Sequence, residues 1–163
     1  MTAIEKSMPL KAKYVHTNLI AENWRALAHF YQDVFGCVPV PPERHFKGKD
    51  LERGTGLPDA QLDGVHLRFP GSDGSGPTLE IFNYARLQTR SATAVNRPGF
   101  GHIAFEVDDV QKARETVLAA GGRSVGEIVT LQVSTTARVT WCYVTDPEGN
   151  IIELQSWTSE KIL

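Results

Sequence analysis

The chain has 163 residues, 41% hydrophobic and 22% charged, with a net charge of −2 at pH 7 and a pI near 6.2. This size suits one compact domain or two small modules sharing a core, and the charge balance offers no basic face for nucleic acid or for a membrane surface. No run approaches the ~20 apolar residues of a membrane span, none near the start resembles a secretion signal, and Cys37 and Cys142 form no CxxC pair. A cytoplasmic protein with free, buried thiols is the expectation.

Residues 1–13 read as an N-terminal extension. Tyr14–Ile20 alternates, with Val15, Thr17 and Leu19 on one face and Tyr14, His16 and Asn18 on the other, which predicts a strand. Trp24, Leu27, Phe30, Tyr31 and Val34 then recur at three and four, so an amphipathic helix is expected after Asn23 and up to Gly36. Cys37–Val40 reads as a short strand closed by Pro41-Pro42. The polar stretch Glu43–Asp63 reads as a long loop. In it, Arg44, His45 and Lys47 form either an anion-binding lid or an ordinary solvated segment. Val65–Phe69 alternates again, with His66 and Arg68 together on the polar face, either to bind a carboxylate or phosphate or simply to meet solvent. Thr78–Tyr84 follows a Gly- and Ser-rich turn as the next strand.

After a linker at 86–98 the order repeats. Gly101–Val107 reads as a strand, and a helix capped by Asp108 or Asp109 runs to about Ala120 before Gly121-Gly122. Ser124–Val129, Arg138–Thr145 and Asn150–Trp157 are three further expected strands. The last two are joined by the turn Asp146-Pro147-Glu148-Gly149-Asn150. Each half therefore reads β-α-β-β-β. The expected domain plan is a first module at 14–85, a linker at 86–98, a second module at 99–157 and a tail at 158–163. The fold class is α+β, with two βαβββ modules forming a curved, open-barrel mixed sheet and helices on its outer face.

Each half places one His on its first strand, His16 and His102, and one Glu on its last, Glu80 and Glu153. Strand parity sets His16 opposite Val15, Thr17 and Leu19, and His102 opposite Ile103, Phe105 and Val107. Glu80 and Glu153 likewise oppose their apolar neighbours, so all four project from the side away from the helices. A lone histidine on a strand is ordinarily structural, and the matched His–Glu repetition is what lifts this set. Two neutral imidazoles and two carboxylates balance a divalent cation and leave coordination positions open for water or an oxygen substrate. Trp141 and Tyr143 share a face that either lines the cavity or packs the core.

The stretches His16-Thr17-Asn18-Leu19, Phe30-Tyr31-Gln32-Asp33-Val34-Phe35-Gly36, Gly99-Phe100-Gly101-His102-Ile103-Ala104 and Asp146-Pro147-Glu148-Gly149-Asn150-Ile151-Ile152-Glu153-Leu154 resemble the vicinal oxygen chelate superfamily, and within it the glyoxalase I-like proteins. The resemblance covers roughly Tyr14 to Trp157. It implies one divalent ion per site (Zn, Ni, Co, Mn or Fe) held by His16, Glu80, His102 and Glu153. It also implies proton transfer beside a chelated carbonyl through an enediolate, with Glu153 as base and Glu80 as its counterpart. His66, Arg68 and Tyr143 are the candidate substrate contacts. A small-molecule substrate and a homodimer follow from the same likeness, with the groove inside one chain or across two. The sequence departs from the glutathione-using pattern, because Asn83 stands three residues after Glu80 and is followed by Tyr84-Ala85. Two other readings are an Fe²⁺ ring-cleaving dioxygenase on His16, His102 and Glu153, and a non-catalytic resistance protein that sequesters a small molecule. No His follows His102, against the first, and all four ligand types are present, against the second.

Overall fold

A computed structural model describes residues 10–72 and 74–159. The first sheet contains β1 (His16–Ile20), β2 (Val38–Lys47), β3 (Gln61–Arg68) and β4 (Thr78–Tyr84), in the order β1-β4-β3-β2. α1 (Trp24–Phe35) packs on β3 and β4, and the short α2 (Lys49–Thr55) lies against β2. The second sheet contains β5 (Ile103–Glu106), β6 (Arg123–Ser124), β7 (Val129–Gln132), β8 (Ala137–Thr145) and β9 (Ile151–Ser159). Its order is β5-β9-β8-β6, with β7 also paired to β8. α3 (Val110–Ala119) covers β8 and β9. The α+β class expected from the sequence is the one observed: two mixed, open sheets, helices on their outer faces and no closed barrel.

α1 begins where the Asn23 side chain accepts the Ala26 N–H at 3.1 Å, and it ends at Gly36, whose φ of 68° is the left-handed conformation that glycine adopts without penalty. Its apolar stripe, Leu27, Ala28, Phe30 and Tyr31, is buried against Leu67, Leu79 and Ile81. α3 repeats the plan, with the Asp109 side chain accepting the Lys112 N–H at 3.0 Å and Val110 and Val117 buried.

Two expectations are corrected. Glu43–Asp63 is not a loop, because β2 continues through Lys47 and α2 follows it. The strand survives Pro41-Pro42 because its register shifts between Val40, opposite His66, and Arg44, opposite Gly64. The prolines sit in that irregular stretch, where a missing N–H costs no ladder bond. The expected strand at Ser124–Val129 is instead split into β6 and β7 around Gly126, and β7 runs on to Gln132 against β8.

The halves are joined through α1. Phe35 stacks on Phe105 with ring centroids 4.0 Å apart. The turn 146–150 also grips the helix. The Tyr31 hydroxyl donates to Asp146 Oδ2 at 3.0 Å, and the Glu148 carboxylate accepts the Glu22 and Asn23 N–H groups at 2.8 Å each. One apolar core runs through both halves.

Candidate functional site

Directly opposed residues of neighbouring strands share a sheet face, so the registers define which side chains stand together. On the first sheet, Asn18 opposes Glu80, and Glu80 opposes His66 on its other side. His66 in turn opposes Val40. His16 and Arg68 lie one row away, both opposite Thr78. This is the face away from α1, as parity predicts. His16 Nδ1 lies 3.2 Å from Glu80 Oε1 and His66 Nε2 lies 3.0 Å from the same oxygen, so two imidazoles converge on one carboxylate whose side chain is only 10% exposed. Burial, opposed by the Glu80 charge and reinforced by Arg44 and His16, holds the His66 pKa below the usual imidazole range.

The second sheet repeats the arrangement. His102 Nε2 lies 2.9 Å from Glu153 Oε2, and the Glu153 side chain is 18% exposed. Glu153 opposes Ala104 on β5 and Tyr143 on β8, and the Tyr143 ring sits 5.0 Å from that of His102. Trp141, Val139 and Trp157 complete a hollow of about 200 Å³ around Tyr143, Glu153 and Gln155. Burial first, then the charge of Glu153, raises the Tyr143 pKa. Trp157 and Gln155 escaped the sequence reading, although their spacing from Glu153 at i+4 and i+2 puts all three on one face.

The structure thus gathers the sequence-predicted residues into two clusters: His16, Glu80, His66 and Arg68 on one sheet, and His102, Glu153 and Tyr143 on the other. Among the described residues, no three His, Cys, Asp or Glu side chains surround a point that could hold a metal ion. β1 and β5, which carry or adjoin the two histidines, are both edge strands of their sheets. A cavity of about 650 Å³ separates them, walled by Leu19, Phe69, Ile103 and Phe105 and by the linker residues Arg90 and Arg97. Cys37 and Cys142 are buried free thiols, and burial pushes the Cys37 pKa up to about 11, which disfavours its thiolate at neutral pH.

Two sheets, each opening with a β-α-β order and each with a His–Glu pair on its open face, define a class of protein that sequence comparison resolves. Residues 13–154 match the Glyoxalase/Bleomycin resistance protein/Dioxygenase superfamily, and the chain belongs to it. A probable lactoylglutathione lyase of Vibrio parahaemolyticus is 33% identical over 85 residues, 52% of this chain and 56% of that protein, so the match spans little more than half the relative's length. A glyoxalase family protein of Bacillus cereus superposes with a TM-score of 0.69 at 20% identity, covering 96% of this chain and 100% of the other. A point mutant of glyoxalase I from Zea mays superposes with a TM-score of 0.59 at 20% identity, covering 88% of this chain and 44% of that one. These structural likenesses concern the fold. No helix among the described residues is long and apolar enough to cross a membrane.

Proposed function

We propose that this protein is a metal-dependent lyase or isomerase of the glyoxalase I type, acting on a small carbonyl compound in a site shared by two copies of the chain. The observation that carries this reading is the pair of matched His–Glu contacts, 3.2 Å for His16–Glu80 and 2.9 Å for His102–Glu153, each on the face its helix leaves open. The donor chemistry fits a divalent ion, Zn, Ni, Co, Mn or Fe, since two imidazoles and two carboxylates neutralise its charge. The fit is made of two halves. Among the described residues of one chain no three donors surround a common point, and the edge strands β1 and β5 leave backbone groups for a second copy to pair. The modules 14–85 and 99–157, joined by 86–98, are then the units that exchange partners. His16 and Glu80 of one copy face His102 and Glu153 of the other.

When bound, the ion supplies Lewis-acid polarisation of the substrate carbonyl. The remaining steps belong to the protein. Glu153 accepts the proton from the carbon beside the carbonyl and returns it to the neighbouring carbon. His102 orients Glu153, and His66 holds Glu80 in place. Tyr143 and Trp141 shield the reacting carbon from water, and Arg68 stands at the polar end of the first sheet.

Elemental mass spectrometry of the purified protein tests the metal, and about one equivalent of Ni, Co, Zn or Mn per chain is expected. Iron would favour the ring-cleaving alternative. Absence of metal after dialysis against these ions would favour a binding protein. Mixing His16→Ala and His102→Ala chains tests the sharing. Each homodimer is expected to lack metal, whereas the mixed dimer regains one intact site. A site within one chain gives no such rescue.

A further inference from the structure

Arg44 stands out among the cations of the first sheet. Its neighbours on β2 are paired on the helix side. Glu43 accepts from Arg25 at 2.6 and 2.8 Å, and His45 contacts Asp63 at 2.5 Å. Strand alternation sends Arg44 the other way, onto the open face, where it opposes Gly64, and Gly64 opposes Phe82. That row adjoins the one containing His66 and Glu80. Yet Arg44 Nη1 is cut off from solvent and meets no hydrogen-bond acceptor among the described residues. A shielded guanidinium N–H without an acceptor is a standing cost, and such a group calls for a specific explanation. Glu80 does not supply the missing acceptor, because the contacts it makes are to His16 and His66.

We propose that Arg44 anchors a carboxylate of the substrate. The substrate class is then a carbonyl compound that carries a second, distal carboxylate on a short aliphatic spacer. The carbonyl end lies at the row of Glu80 and His66 and the carboxylate on the guanidinium one row away, on the side remote from His16. Successive rows on one face are about 7 Å apart along the strand, a distance that a few carbon atoms span. A planar carboxylate matches the fork of a guanidinium and forms charge-assisted hydrogen bonds with it. This assignment rests on the proposed function for the carbonyl end and on Arg44 alone for the distal end.

The test compares 2-oxoglutarate with 2-oxopentanoate, which has the same 2-oxo acid end and chain length but no distal carboxylate. Calorimetric titrations are run on the full chain in EDTA and again with Ni²⁺. The wild type is expected to favour 2-oxoglutarate by about tenfold in both media, the scale of a hydrogen bond to a charged group. Arg44→Gln is expected to abolish that preference and Arg44→Lys to retain part of it. The thermal midpoint of Arg44→Gln should equal or exceed that of the wild type, because a shielded guanidinium N–H without an acceptor has been removed. An unchanged preference in Arg44→Gln overturns the proposal, as does tighter binding of inorganic phosphate than of 2-oxoglutarate. Conversion of Arg44→Gln to a monomer, or a marked fall in its midpoint, overturns it too, by assigning Arg44 to packing or to a contact between copies. If Ni²⁺ strengthens neither ligand while the Arg44-dependent preference persists, the metal reading falls and the anchor stands.

Discussion

The two open sheet faces can be compared position by position, because the strand registers align them. Glu80 corresponds to Glu153, and the residue across from the carboxylate is His66 in one sheet and Tyr143 in the other. Two positions earlier on the same strands stand Gly64 and Trp141, and across from these stand Phe82 and Gln155. The first face is therefore imidazole-rich and carries Arg44 and Arg68, whereas the second is an aromatic hollow around a carboxylate. On the proposed function, this difference gives the two glutamates separate roles. Two imidazoles converge on Glu80 Oε1, so that carboxylate is tied down. Glu153 contacts one imidazole through Oε2, is the more exposed of the two, and has no further partner among the described residues. A ligand gains from being fixed, and a base needs an oxygen free to reach a proton.

The largest effect that would break this asymmetry is on turnover. Glu153→Gln is expected to lower kcat by about 10²–10⁴-fold on hemithioacetal or 2-oxo acid substrates while retaining most of its bound metal. Glu80→Gln should lose metal first, with activity returning at excess metal. Equal loss of kcat at saturating metal in both variants would abolish the distinction. Next in size is His66→Leu, which frees Glu80 from one of its two imidazoles. Metal affinity measured by competitive chelation should fall by about 10–100-fold, as for other partners that orient a ligand. Tyr143→Phe, at the matching position of the second sheet, should leave metal affinity unchanged.

Gly64 offers the third break. An added Cβ there would collide with the Ile81 carbonyl oxygen and with the Phe82 ring, which lies across the glycine. Backbone on one side leaves no room to yield. Gly64→Ala is expected to destabilise by about 2–3 kcal/mol, read from the midpoint of urea unfolding.

The fold was legible in the sequence wherever period and punctuation agreed. Asn23 and Gly36 bracket an apolar stripe of helical period, and the strand with Glu153 follows a five-residue turn rich in Asp, Pro and Gly. It was illegible where a rule had a local exception. Pro41-Pro42 signals the end of a strand, but a register shift carried the strand past it. The polar Lys49–Thr55 has too few apolar residues to show a period. The two His–Glu pairs followed from repetition and parity. The hold of His66 on Glu80 did not, because it depends on pairing two strands that a Gly- and Ser-rich stretch of sequence separates, and no local pattern fixes that register. Nor could local pattern reveal that one chain keeps the two pairs on separate sheets. That separation depends on how α1 docks onto the second half.

The same docking supplies the smaller predictions, because the first half contributes a helix and the second half the turn that grips it. Tyr31→Phe deletes a donor to the fully buried Asp146 and is expected to cost about 1–2 kcal/mol. Asp146 also accepts the Glu148 and Asn150 N–H groups at 3.0 and 2.9 Å and the Asn150 side-chain amide at 2.6 Å. Burial nevertheless outweighs these donors and raises its pKa above the usual carboxyl value. The sign of the pH effect follows. Between the unfolded carboxyl pKa and the raised native one, the folded state binds more protons than the unfolded chain, so the Asp146 contribution is greatest below that window and falls as pH rises through it. Asp146→Asn holds a neutral group at every pH and should remove this part of the slope of stability against pH. The comparison is made by urea titration at a series of pH values spanning the acidic range. A slope that instead becomes more negative in Asp146→Asn would mean that the four donors keep Asp146 ionised, and that the grip on α1 is made by a buried carboxylate rather than by a carboxylic acid.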